Sequence, residues 1–183
     1  RGVSIDTAWT REAREVLDEQ LDAVRDPSRG DAAPGRVSPY RLLDAVAAVR
    51  DPGETITAGA GQHSLWANLL PVDSPATALK SVGFGTMGFA VSAGIGAAAA
   101  DGGPAFVLVG DGDFAMVSGE LWGAVEHGLD LVIVVFNDGQ LSAIKTPQED
   151  RYEAPYGVDY APVDLPALAE AYGASGFRVE PGD

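Results

Sequence analysis

The sequence predicts an α/β fold in three layers, a doubly wound and mainly parallel sheet with helices on both faces. Three observations carry this expectation. Two short apolar runs rich in β-branched residues, Phe106 to Val109 and Leu131 to Phe136, flank an amphipathic stretch from about Phe114 to His127 and read as one βαβ unit. Ahead of that unit, short extended runs alternate with longer helical patterns. With 183 residues and 46% hydrophobic content, the chain is long enough for one domain with a sizeable core plus an appendage. Parallel strands joined by a right-handed crossover end on the same edge of the sheet, and in open α/β sheets that edge binds ligands.

In chain order, residues 7–25 read as a helix. Thr7 or Thr10 can cap it, and Trp9, Ala13, Val16, Leu17, Leu21 and Val24 recur at helical spacing. Asp26 to Pro39 is rich in Pro, Gly, Ser and charge and reads as a linker. The sheet domain is expected over 38–183, after this linker. Ser38 as cap and Pro39 at the first helical position start a helix through Arg50, which Asp51-Pro52-Gly53 stops. Glu54 to Thr57 reads as a short strand, His63 to Leu70 as a helix, and Thr77 to Val82 as an extended segment. Thr86 to Ala100 is expected to be helical, and its Gly and Ala residues would let its backbone pack closely against a neighbour. After the central unit, Leu141 to Pro162 is polar, aperiodic and contains three prolines, so it is expected to lack regular structure. Asp164-Leu165-Pro166 opens a helix to Tyr172, Gly173 ends it, and Gly176 to Val179 reads as a last strand.

The chemistry concentrates where the central strands end. Gly110-Asp111-Gly112-Asp113 follows the first apolar run and Asn137-Asp138-Gly139 the second. Two carboxylates on adjacent strand ends suit a hard cation such as Mg²⁺, which takes few protein ligands and shares its octahedron with water and phosphate. The glycines flanking Asp111 let backbone approach a ligand, and a helix starting near Phe114 would aim free N–H groups at an anion. Taken singly, each motif is also an ordinary turn; together, on one edge of one unit, they point to a phosphate-plus-metal site. Asp113 reads as an N-terminal helix charge, and Glu120 as a helix-surface or interface residue.

Composition excludes several classes. A net charge of −15 argues against nucleic-acid and anionic-membrane partners, and means an anion would be held by metal, backbone amides and helix ends rather than a basic pocket. The absence of cysteine removes disulfide and thiolate chemistry and fits a cytoplasmic protein. No apolar run reaches the length of a membrane span, and no signal-peptide pattern opens the chain.

The pair GDGDF and FNDGQ resembles the cofactor signature of thiamine diphosphate-dependent enzymes, a GDG followed some two dozen residues later by paired asparagines. More narrowly, the chain resembles the C-terminal, diphosphate-binding domain of the acetolactate synthase and 2-oxo acid decarboxylase group. The resemblance implies that Asp111, Asp138 and the Gln140 carbonyl hold Mg²⁺ and that Gly110, Asp111, Gly112 and Asp113 lie at the cofactor. Here Asn137-Asp138 stands where the family usually has Asn-Asn, which adds a negative charge beside a diphosphate; Asn137 as the ligand, with a one-residue slip, is the alternative. Gly59 to Ala67, GAGQHSLWA, is similar to the family's GQH-x-x-W-A stretch, which implies that Gln62 and His63 reach the diphosphate. Gly83 to Ala90, GFGTMGFA, resembles G-x-G-x-M-G-F. There the Gly85 carbonyl and Met87 N–H would pair with the aminopyrimidine, and the Met87 thioether would fill the irregular gap beneath the bent cofactor.

The resemblance further implies one component of an enzyme that decarboxylates a 2-oxo acid, then releases an aldehyde or ligates the acyl fragment to a second carbonyl. The activating glutamate would come from a separate pyrimidine-binding domain, across an interface of a homo- or hetero-oligomer, dimer or tetramer. Members of the family carry a similar Trp-bearing helix as they leave a middle domain, which implies that residues 1–37 are a connector. Related domains continue with another helix and strand, so this one is expected to be truncated or completed by a partner. Two other classes stay open: a non-catalytic module using the same fold, and a nucleotide-binding doubly wound domain. For the latter, Gly83-x-Gly85-x-x-Gly88 fits the dinucleotide pattern but lacks a strong preceding strand and an acidic residue ending the next one.

Overall fold

The computed structural model describes residues 35–72 and 74–181, with isolated positions between 11 and 19. The connector helix expected over 7–25 lies largely outside the described residues; positions 11, 12, 15, 16 and 19 are helical.

Four strands form one parallel sheet: β1 (Thr55–Ala58), β2 (Ala78–Lys80), β3 (Ala105–Gly110) and β4 (Leu131–Phe136), in the order β2-β1-β3-β4. Helices α1 (Pro39–Val49) and α2 (His63–Ala67) precede β2; α3 (Phe89–Asp101) joins β2 to β3; α4 (Asp111–Ala115) and α5 (Glu120–Glu126) join β3 to β4. After β4 come α6 (Ser142–Arg151) and α7 (Leu165–Ala171).

Every residue of β1 is buried, as is β3 up to Val109, which requires cover on both faces. Alternate residues of β3 divide between two cores, because side chains on a strand point to opposite faces. Phe106 and Leu108 join Leu43 and Val46 of α1, Ile56 and Leu70, with Trp66 of α2 against them. Val107 and Val109 join Ala90 and Val91 of α3, Phe114 of α4 and Leu121 of α5. The chain thus winds one way from β1 to β2 with helices on one face, then back through β3 to β4 with helices on the other. With right-handed crossovers, that reversal places a switch point between β1 and β3, where the loops leaving them diverge and open a crevice at their carboxyl ends.

Close packing of α3 is built on missing side chains. A Cβ at Gly94 would lie 2.4 Å from Val107 Cγ2, so helix and strand approach nearer than any other residue permits. The buried Thr57 hydroxyl donates to the Ala90 carbonyl (2.7 Å), tying β1 to the first turn of this helix.

Three sequence expectations are corrected. The amphipathic stretch after β3 is two helices, starting already at Asp111 and broken at 116–119, where Ser118 and Gly119 have weak helix propensity. Residues 141–162 are not devoid of structure, since α6 forms there with Pro147 inside it and no buried side chain. A helix without an apolar stripe has no periodicity to detect. Its supports are polar: Gln62 Nε2 donates to the Ser142 carbonyl (3.4 Å) and Thr146 Oγ1 (3.2 Å), and Lys145 Nζ bonds Asp159 (2.7 Å) and Gln140 Oε1 (2.7 Å). Finally, Gly176 to Val179 is not a strand; Phe177 and Val179 are exposed and pair with no strand among the described residues. An isolated extended segment has no ladder to stabilise it.

The remaining boundaries agree to within a few residues. Ser38 occupies the N-cap of α1 with Pro39 following, although its side chain makes no capping bond. The Asp164 carboxylate caps α7, accepting the Ala167 N–H at 3.4 Å.

Candidate functional site: the carboxyl edge of the sheet

Three segments meet above the switch point: the loop leaving β1 (59–63), the turn leaving β3 into α4 (110–113), and the turn leaving β4 (137–141). Residue Gly110 of β3 pairs with Phe136 of β4, so Asp111 and Asn137 begin their turns side by side.

Asp111 is 8% exposed. Its Oδ1 accepts the Gly112 N–H (3.0 Å) and its Oδ2 accepts the Gly139 N–H (2.9 Å), which joins the β3 turn to the β4 turn. Asp138 is exposed; it accepts the Gln140 N–H (3.3 Å), the Gln140 side-chain amide (3.4 Å) and the Ser142 hydroxyl. The Tyr160 hydroxyl donates to the Gln140 carbonyl (3.4 Å). Burial, followed by the nearby Asp111 carboxylate, pushes the Tyr160 hydroxyl well above its ordinary value. A Cβ at Gly112 would sit 2.8 Å from the same oxygen, so only glycine admits it. The Gly139 bond thus brings Asp111 to the turn that carries Asp138 and the Gln140 carbonyl.

His63, 5% exposed, stacks on Phe136 at the end of β4 with ring centroids 5.9 Å apart and planes 18° from parallel. Its seat is lined by glycines. A Cβ at Gly61 would lie 2.8 Å from Cε1, one at Gly110 3.0 Å from Nδ1, and one at Gly59 3.0 Å from Nε2. Nε2 is buried without a hydrogen-bond partner, 3.8 Å from Asp113 Oδ2. That separation is an ion-pair distance only if the imidazole is charged. Burial pushes its pKa below the ordinary value, outweighing the upward pull of Asp113; Lys80 lowers it further, and Asp111 and Asp138 raise it. Burial therefore favours the neutral ring.

Asp113, 2% exposed, is turned inward. Its Oδ2 accepts the Ala60 N–H (2.9 Å) and its Oδ1 the Gly88 N–H, so one carboxylate clips the loop after β1 to the loop before α3. Through Gly88 the stretch carrying Gly85 and Met87 is anchored at the same edge; Gly85 is exposed there with φ +67° and Met87 is half-buried. Gln62 reaches α6 rather than the turn at Asp111.

The site thus gathers Gln62, His63, Gly110, Asp111, Gly112, Asp113, Asp138 and Gln140 on one edge. Sequence reasoning missed Tyr160, Phe136 as the stacking partner of His63, and Gly88 as a donor to Asp113. Phe136 carried a signal, since it is the last residue of a strand whose turn was already singled out. Tyr160, in an aperiodic segment, carried none.

Among the described residues no cluster of three or more His, Cys, Asp or Glu side chains is poised on one point. Two carboxylates and a carbonyl are instead a donor set for Mg²⁺ completed by water and a phosphate-bearing ligand. The family described as "Thiamine pyrophosphate enzyme, C-terminal TPP binding domain" matches residues 59–183, from the first glycine of the His63 seat onwards. The chain belongs to the thiamine pyrophosphate enzyme family. It carries that family's C-terminal binding domain, whose cofactor is thiamine diphosphate (thiamine pyrophosphate) with Mg²⁺. It is 33% identical over 161 residues to an acetolactate synthase of Mycobacterium bovis, covering 84% of this chain and 26% of that protein. Over 150 residues it is 31% identical to the acetolactate synthase of Bacillus subtilis, covering 81% and 26%. To the acetolactate synthase isozyme 1 large subunit of Escherichia coli it is 39% identical over 119 residues, covering 64% and 21%. The chain spans about a quarter of the length of these relatives. Among the described residues, no helix is long and apolar enough to cross a membrane.

Proposed function

We propose that this thiamine diphosphate-binding domain anchors the cofactor of an acetolactate synthase-like enzyme, which decarboxylates a 2-oxo acid and ligates the acyl fragment to a second carbonyl or releases an aldehyde. The observation that carries the reading is that Asp111 Oδ2 accepts the Gly139 N–H, which draws the turn bearing Asp138 and the Gln140 carbonyl against the turn leaving β3. Asp111, Asp138 and the Gln140 carbonyl would hold Mg²⁺. Gln62, His63 and the backbone from Gly110 to Asp113 would surround the diphosphate, and Gly85 and Met87 would meet the aminopyrimidine. Bound thiamine diphosphate supplies the carbon nucleophile and the electron sink for decarboxylation. The chain's own residues fix the diphosphate, keep the imidazole neutral and exclude water from the turn at Gly110. A first helical turn as short as α4 contributes little macrodipole, so the metal and the loop amides neutralise the diphosphate. The activating glutamate belongs to a pyrimidine-binding domain elsewhere in the same gene product or in a partner subunit, so the working unit is a dimer or tetramer.

Titration calorimetry of the full-length protein with thiamine diphosphate and Mg²⁺ tests this. Saturable, Mg²⁺-dependent binding that Asp111→Ala abolishes is expected. Binding that ignores the metal, or survives the substitution, refutes it.

A further inference from the structure

We propose that Asp113 is a positioning residue of the cofactor site, acting through His63: its buried carboxylate sets which edge of the imidazole faces the Gly110–Asp111 turn. The geometry points to this from three sides. The carboxylate is held by the Ala60 and Gly88 N–H groups, which belong to the loops that follow β1 and β2. His63 Nε2 stands 3.8 Å from Oδ2, fully buried and without any other partner. Finally, Gly59, Gly61 and Gly110 close the seat so tightly that the ring has no room to swing away.

A carboxylate can only accept, and at 3.8 Å, beyond hydrogen-bond length, its field still favours the ring proton on Nε2, the edge turned to Asp113. Nδ1 is then the edge against Gly110, the residue that opens the turn carrying Asp111. Stacking on Phe136 fixes the ring plane but not which edge faces which way, since the aromatic face is indifferent to a flip. Asp113 supplies that choice. It also gives a role to an acidic residue that is only 2% exposed. Burying a carboxylate is costly unless it is fully hydrogen-bonded, and two backbone amides would be satisfied more cheaply by a serine or asparagine side chain or by water. Beyond those two amides, the carboxylate has the neutral imidazole to orient.

The effect on affinity presupposes the cofactor reading above, and a double-mutant cycle separates the two. Thiamine diphosphate dissociation constants, at saturating Mg²⁺, are measured for the full-length protein, Asp113→Asn, His63→Gln and the double variant, with thermal unfolding of each recorded without cofactor. In the His63 background Asp113→Asn is expected to weaken binding about tenfold, and in the His63→Gln background less than about threefold, since coupled residues are not additive. Equal losses in both backgrounds mean that Asp113 only ties loops, and overturn the inference alone. No cofactor binding by the wild type overturns the cofactor reading and this inference with it. Should Asp113→Asn fail to fold, ¹⁵N imidazole shifts of selectively labelled wild-type protein decide without cofactor. The chain has two histidines, and a His63 proton on Nε2 supports the assignment while one on Nδ1 overturns it.

Discussion

Replacing Gly59 with alanine is the sharpest probe of how the site is held together. Gly59 does not occupy the left-handed region, so the backbone accepts alanine and the effect is steric alone. The new Cβ would fall 2.0 Å from Asp113 Oδ2 and 3.0 Å from Cγ. To regain van der Waals contact the carboxylate must retreat by more than an ångström, which breaks the 2.9 Å bond from the Ala60 N–H and the bond from Gly88 as well. Hydrogen bonds to charged groups contribute about 1.5–3 kcal/mol each, so two of them, partly replaced by water at the crevice, give a loss of about 3 kcal/mol. For a domain of this size that lowers the melting temperature by about 6–12 °C. Differential scanning calorimetry of the cofactor-free protein measures it directly. A shift of less than about 2 °C would mean that the carboxylate is not pinned between the two amides, and the account of the clip would be wrong.

Other consequences follow from the same packing. His63 has a pKa below its unfolded value, so the unfolded chain takes up a proton first as the pH drops. The stability it contributes is whole above about pH 6.5 and falls as the pH moves down toward the lowered folded value. His63→Phe, which keeps the stack on Phe136, should therefore gain in melting temperature relative to wild type as the pH is taken from 7.5 to 5; a constant difference would contradict the burial. Gly94→Ala forces a methyl to 2.4 Å from Val107 Cγ2 and should cost about 1–3 kcal/mol in urea unfolding. An unchanged midpoint would show that α3 can slide on the sheet. Gln62→Ala removes the two donations to α6, each worth about 1 kcal/mol or less, and should speed amide exchange across 142–151 severalfold while leaving β3 unaffected.

The parts of the fold legible in the sequence were those where burial writes a pattern. β3 is a near-continuous apolar run because both of its faces are covered, while β4, last in the strand order, is apolar but only partly covered; Gly110 and Asn137 mark where the two runs stop. The glycines of α3 announced close packing, and Gly94 against Val107 is where it occurs. α6 was illegible because polar bonds from Gln62, Lys145 and Ser142 support it, and such bonds leave no periodic trace. In the site, residue types could mark Asp111 and Asp138 as oxygen donors on one edge. They could not show that Asp113, two positions further on, turns inward to Gly88. That depends on α4 beginning at Asp111 rather than near Phe114, which rotates Asp113 towards β1. Tyr160 arrives from a segment tied to the site by the short antiparallel bridge between Gln140 and Asp159 and by the Lys145–Asp159 pair, contacts that no local pattern encodes.

The glycine seat of His63 constrains how this protein can vary. Gly110 has an ordinary extended backbone, so only the ring forbids a methyl there, whereas Gly61, at φ +154°, is constrained by ring and backbone alike. Positions 63 and 110 are therefore a single lock and key in mutational space: a smaller residue at 63 licenses alanine at 110, but never at 61. A library randomised at all three would return correlated survivors, and engineering the pocket for a bulkier or differently charged ligand must begin with the ring rather than the loop around it.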